Sequence, residues 1–508
     1  MSVKIRPQKK YSFASIASFA FALALVGGLW PSLRPVLTVN AADGAWRIPL
    51  SSARPVRARY AGHQKMAKAL NTARNKPLGM ASFDLDIDAL PDALVGYDTG
   101  NGYAIAFHKA NGQAYAPTGS NVDAFLAGEI ASFEDEAIVS ESPIAPDFLG
   151  GGYVLNMAER NVVAASKQGD LVVFRFRDGS LSVEQSLHMP AEITAMSTMR
   201  IDPNKLNEQV FVALKGGEVR MYDSVEGILT QVGTSQAAGN VATLAFDEID
   251  GDGIRDAVVV AGGALQVLPG FEMLDRIHTP DTSASVLDTI PTDYEVAAAI
   301  TGHFLFDRNA TESIAALGVD GALHILANSG RDPRPLTNED SDRLRRFHDG
   351  VLSESDLKGM YKALPNPRAV KPKWNEVQKH PGFTTVEHGR VPSLLSSRIS
   401  SYGLEDILAL ESRSGTISML SQGPTPEVVK RLNALPAHSM ALATQLNLRS
   451  ARGVLTFNAD GSGLTALHAT GGTPRNAPTV MTVNTVTDSN SSTAQSACSS
   501  GSAGCTLR

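Results

Sequence analysis

The sequence predicts an all-β fold, a seven-bladed β-propeller with a small helical insertion. Three observations carry this reading. Seven pairs of short apolar strands recur between residues 80 and 470. From the second pair onward their starts lie about 48, 47, 56, 94 and 46 residues apart, and a period in the forties marks a propeller blade. A short polar or glycine-bearing turn joins the members of each pair, which is the hairpin signature. A single blade cannot bury both faces, whereas a ring of blades buries them all and leaves no open sheet edge.

The pairs run in order. Ala93–Gly96 with Tyr103–His108 is the first, and Val162–Ser166 with Leu171–Phe176 the second. Val210–Leu214 with Glu218–Tyr222 and Ala257–Ala261 with Ala264–Leu268 follow. Then come Ser313–Leu317 with Ala322–Leu326, Ile407–Leu410 with Thr416–Leu420, and Gly453–Phe457 with Gly463–His468. Asp123–Ser140 contains a further strand-like stretch, so an eight-bladed ring is the rival. That stretch otherwise reads as outer strands or an insert between the first two pairs.

The fourth pair is preceded by five acids in ten residues, Asp247 to Asp256. Counting Glu248 as position one, Asp250 and Asp252 are three and five, and Asp256 is nine. Gly251 and Gly253 permit the backbone to curl, because glycine enters left-handed conformations cheaply. A ring of carboxylate oxygens suits calcium, with the carbonyl of Ile254 at position seven as a further ligand. An EF-hand would close with glutamate at position twelve, where this chain has Val259 inside a strand. The alternative is a solvated acidic turn. Asp84, Asp86, Asp88 and Asp92 repeat the spacing before the first pair, with Ala89 in place of the second glycine. Asp202, Asn204 and Glu208 repeat it partly before the third pair, but Arg200 stands at position one.

The long interval between the fifth and sixth pairs holds an insertion, residues 328–390. Asn338–Asp349 and Ser353–Leu364 read as short helices, the second with Ser353 as N-cap and acids in its first turn. A proline- and lysine-rich loop with Trp374 follows. Residues 42–79 read as a basic lead-in arm with a short helix over His63–Ala73.

Lys4, Arg6, Lys9 and Lys10 precede an uncharged apolar run, Ser12–Trp30, and then Val39-Asn40-Ala41. That order is an export signal, cleaved after Ala41 or retained as an N-terminal membrane anchor. The expected location is secreted or cell surface, the bacterial periplasm or outer surface included. Without residues 1–41 the chain has 40 basic and 52 acidic side chains, a formal charge of −12. That excludes a nucleic-acid partner, whose backbone needs a positive surface. Cys498 and Cys505 are the two cysteines, so residues 42–470 carry no disulfide.

The stretch Asp250-Gly251-Asp252-Gly253-x-x-Asp256 followed by AVVVAG resembles the FG-GAP, or VCBS-type, repeats of integrin-like propellers. The resemblance implies that Glu248, Asp250, Asp252 and Asp256 take ligand positions, with Glu248 replacing the usual aspartate. It also implies an adhesion, ligand-binding or scaffold module. Residues 471–508 read as a linker running into TVNTVTDSN, Cys498 and Cys505-Thr506-Leu507-Arg508, similar to the start of a CSLREA-type extracellular domain. That likeness implies a following right-handed β-helix.

No Gly-x-Ser-x-Gly, His-Glu-x-x-His or Gly-x-x-x-x-Gly-Lys-Ser/Thr motif is present. The histidines are scattered. His108, His324 and His468 recur in or after second members of pairs, as packing positions or as a cluster near the ring axis. The expectation is a monomeric, non-enzymatic module that binds an extracellular protein or glycan. A carbohydrate-active hydrolase or lyase, and a spacer for a β-helix, are the alternatives.

Overall fold

In the computed structural model, the described residues are 50–468 other than 52, 73–74, 117, 127–128, 310, 349, 358, 362–363, 387–390, 401–402, 448–451 and 462. The export segment and the CSLREA-like segment, with Cys498 and Cys505, lie outside them.

Seven separate sheets form, each with four strands in its core. The seven pairs read from sequence are the second and third strands of these sheets. Second strands such as Gln209–Leu214, Asp256–Ala261 and Ser313–Gly318 are buried along their whole length. Sheets lie against both their faces, which is why they read as unbroken apolar runs. The first strands are Lys76–Phe83, Phe148–Gly152, Ile193–Met199, Val241–Asp247, Val296–Gly302, Ser393–Ser397 and His438–Thr444. Each touches the next, and the seventh touches the first, so the ring closes. The protein is a seven-bladed β-propeller.

Closure rests on strand pairing between the two ends of the fold. The last blade takes its outer strand from the start of the fold, where Arg54–Val56 pairs antiparallel with Leu464–Ala466. Arg59–Gly62 then runs parallel to Phe133–Ser142 as a fifth strand of the first blade. The lead-in arm is therefore part of two sheets. Its helix, Gln64–Thr72, buries Met66, Ala67 and Leu70 against the first blade's core.

The eight-bladed alternative is excluded by the sheet count. Within Asp123–Ser140, Val122–Leu126 is a helical turn, and Phe133–Ser142 is the outer strand of blade one. The insertion also differs from expectation. Asn338–His348 is helical, but the described residues of 353–364 form a 3-10 turn, Glu354–Leu357, rather than a second α-helix. Asp356 there accepts from the amide and hydroxyl of Ser353, and Gly359 follows in the left-handed region at φ +78°. Trp374–His380 is no loop but the outer strand of blade five, so the insertion ends before it. Leu336, Leu344, Leu357 and Met360 form a small core with Leu404 of blade six. His108 and His324 lie in third strands and His468 follows one. They are packing positions, removed from the channel that the first strands wall.

Candidate functional site

Every acidic stretch singled out from sequence connects the first strand of a blade to its second. These loops share a device that the sequence reading missed. The residue opening the second strand is a buried acceptor that folds back onto the loop. Asp92 accepts from Leu85 N (2.9 Å) and Ala110 N (2.8 Å). Asp256 accepts from Ile249 N (3.1 Å) and Gly270 N (2.7 Å). Asp406 accepts from Ile399 N (2.7 Å) and Ser400 N (2.6 Å). Asn161 and Gln209 hold Leu155 N and Ile201 N in the same way, each at 2.9 Å. Buried amides need such partners. The signal was available: a carboxylate or amide side chain stands immediately before each of these apolar runs.

The loops of blades one and four follow the same path. Gly251 and Gly253 have φ of 99° and 81°, and Ile87 and Ala89, at the same loop positions, have 65° and 67°. A side chain in that region costs roughly 1–2 kcal/mol, so blade one holds the curl at greater cost.

What neutralises the acids differs. In blade one, Asp84, Asp86 and Asp88 bring carboxylate oxygens within 4.8 Å of one another, while Asp92 is not of that set. The Lys109 ammonium reaches both Asp86 and Asp88, the latter at 2.9 Å. Burial works against the charge on Lys109, but the hydrogen bonds to Asp86 and Asp88 prevail and raise its pKa. Arg160, from blade two, pairs with Asp84 at 3.2 Å. Protein cations thus already sit where a metal would.

In blade four, Glu248, Asp250 and Asp256 bring oxygens within 4.8 Å of one another. Pro269 stands where blade one has Lys109, since Gly270 N and Ala110 N make the equivalent bonds. Among the described residues no lysine or arginine pairs with these three acids. Burial, reinforced by neighbouring carboxylates, raises the pKa of Asp250 and Asp256, and burial raises that of Glu248. Asp252 lies outside the set. Its Oδ1 accepts from Ile254 N at 2.8 Å, and its buried Oδ2 has no partner among the described residues. Ile254 packs its side chain on the core shared by blades three and four. Leu364 of the insertion presses on Gly251, where a Cβ would come within 2.7 Å. Arg368 anchors the insertion to Asp275 through two 3.0 Å bonds.

In blade three the acids part. Asp202 faces His278 at 3.2 Å, and Glu208 turns to the central channel. Exchanging Lys109 for methionine should therefore expose a second cation site in blade one. Calcium should then raise the melting temperature of that variant more than that of the parent. An equal or smaller shift would mean the Asp84 loop cannot hold an ion even when freed.

The channel mouth holds a cavity of about 630 Å³. First strands of blades one, two, three and seven wall it, with Met80, Phe83, Leu149, Met196 and Leu442 supplying apolar surface. Three charged side chains line it: Arg200, Glu208 and Arg255.

No family model matches the sequence, and no curated protein matches it either. Solved structures similar to this chain include BBS1N in complex with ARL6DN, at 8% identity, 85% of this chain, 99% of that chain and a TM-score of 0.48. A second is the Chaetomium thermophilum polycomb repressive complex 2, at 10% identity, 73% of this chain, 70% of that chain and a TM-score of 0.41. The blade count rests on the sheet topology.

Proposed function

We propose that this propeller is a calcium-stabilised binding or scaffold module of the secreted or cell-surface kind, without catalytic activity of its own. One observation carries the metal: Glu248, Asp250 and Asp256 converge, partly or fully buried, with no lysine or arginine among the described residues paired to them. Oxygen-rich loops of this composition suit calcium. Asp252 supplies a further carboxylate at the loop's edge and Ile254 a backbone carbonyl, as the FG-GAP-like spacing implies. A closed ring offering loops, an insertion and a channel mouth fits binding an extracellular protein or glycan. Residues 1–41 would deliver the chain across a membrane or anchor it there, and residues 471–508 would lead into the CSLREA-like segment.

Calcium bound only by the folded state stabilises it by mass action. At about a hundredfold excess over Kd the gain is about 2.7 kcal/mol. Thermal unfolding with and without calcium, with bound metal quantified on the same sample, tests this. The expected result is a clear upward shift, largely lost in Asp250→Asn. No shift and no bound metal would leave a hydrogen-bonded acidic turn and a scaffold that needs no ion.

A further inference from the structure

We infer that the channel mouth is a binding site for a small amphipathic monocarboxylate, held by Arg200 and Arg255 with its apolar tail inside the channel. This gives the binding-module reading above a ligand class and rests on that reading.

The cavity's size is that of a small-molecule site, which typically measures 300–1,000 Å³, against about 630 Å³ here. Blade two contributes Phe148–Gly152, whose Gly150 and Gly151 let Thr198 and Phe83 pack directly on its backbone, where a Cβ would collide with them. Thr198 adds little polarity, because its hydroxyl is already bonded to the amide and carbonyl of Gly151 at 3.1 and 3.0 Å. The walls therefore offer Met80, Leu149, Met196 and Leu442 to an apolar group, and methionine adapts to varied shapes.

The charge at the mouth is specific. Arg160 nearby is committed to Asp84 and stacks over Tyr153 at 4.9 Å. Among the described residues the Arg200 guanidinium makes no hydrogen bond, and its charge acts on the Glu208 carboxylate. Arg255 makes one long bond, 3.3 Å, to the carbonyl of Arg200. Glu208 lies over Gly152, and its buried Oε2 has no partner among the described residues. Among the side chains that line the cavity, two guanidinium groups against one carboxylate leave one positive charge, with Asp247 acting on Arg255 from outside the lining, on a chain whose formal net charge is −7. One net charge matches a monoanion, and the arginine fork matches a carboxylate. A dianion would meet Glu208, and an uncharged alcohol would leave both guanidinium groups unpaired.

Octanoate is the probe. Titrating it into the full chain by calorimetry should give saturable binding with one site. Octanol and octylammonium should fail to compete. The double variant Arg200→Gln/Arg255→Gln should weaken octanoate at least about tenfold. Glu208→Gln should tighten it about threefold or more by removing the repelling charge, a gain that a misfolded variant cannot mimic. Met196→Trp should fill the cavity and abolish binding with the melting temperature retained. No octanoate binding, equal binding of octanol, or binding indifferent to the Arg200, Arg255 and Met196 changes would each overturn the site. Titrations in calcium and in chelator separate this from the metal: octanoate should bind in both. Failure in both with a normal calcium shift would defeat the carboxylate site and leave the calcium-braced scaffold standing.

Discussion

A chain lacking residues 50–57 is expected to melt far below the intact protein and to self-associate. Those residues close the ring. Arg54–Val56 supplies the outer strand of the last blade. Leu50 is buried in the core between the last two blades, beside Leu410, Val454 and Leu467. The Arg431 guanidinium donates to the carbonyls of Leu50 (3.0 Å) and Ser51 (3.1 Å), tying blade six to the same segment. Ser51 and His468 exchange two further bonds, 2.8 and 3.0 Å. Burial of one leucine contributes about 2 kcal/mol and each net hydrogen bond about 1. The loss is thus on the order of 5 kcal/mol. It also exposes the edge of Leu464–Leu467, a template for pairing with another chain. A peptide spanning residues 47–58, added in excess, should restore part of the lost stability. Unchanged melting in the truncated protein would show that closure rests on the packing of first strands alone.

Asp406→Leu is expected to cost about 2–4 kcal/mol, because it leaves the amides of Ile399 and Ser400 buried without an acceptor. The residue is fully buried, and leucine, bulkier than aspartate, offers no acceptor to the two N–H groups and adds overpacking. Urea denaturation of parent and variant measures the difference. The cost should depend on pH. Burial lifts the Asp406 carboxyl to about 6, against the bonds from Ser400 and Ile399 that pull it down. A carboxyl raised on folding binds its proton more tightly in the native state. Its contribution is therefore complete below about pH 4 and declines as pH rises through about 6. The variant should accordingly suffer more at pH 4.5 than at pH 7.5. A penalty that grew toward pH 7.5 would contradict the assignment of cause.

The pairing of Asp86 and Asp88 with Lys109 shows why the two acidic loops, so alike in spacing, differ in chemistry. Position 109 lies 21 residues beyond Asp88, near the end of the third strand. No local spacing marks it as a counter-ion. Its counterpart Pro269 is equally silent in sequence, although the contrast decides which loop is left without a protein cation. In sequence Arg200 stands only as a misfit at loop position one. In the fold it faces the channel, where it meets Arg255 from the next blade.

The blade count was legible because the second and third strands are sandwiched on both faces. Sequences such as VFVAL and DAVVVA can satisfy that environment only with continuous apolar side chains. Outer strands such as Ser180–His188 and Glu427–Arg431 are largely solvated, and polar residues there carry no comparable signal. Trp374–His380 and Arg54–Val56 were hidden for the same reason, compounded by their distance in sequence from the strands they join. The sequence by itself determined the hairpin period, a propeller of seven strand pairs and the positions of its acidic loops. Only the tertiary structure decided which strand closes the ring, which carboxylates converge, and which of them a distant lysine or arginine already neutralises. Apolar periodicity is written locally, residue by residue, whereas a counter-charge is set by whichever side chain the ring brings within a few ångströms.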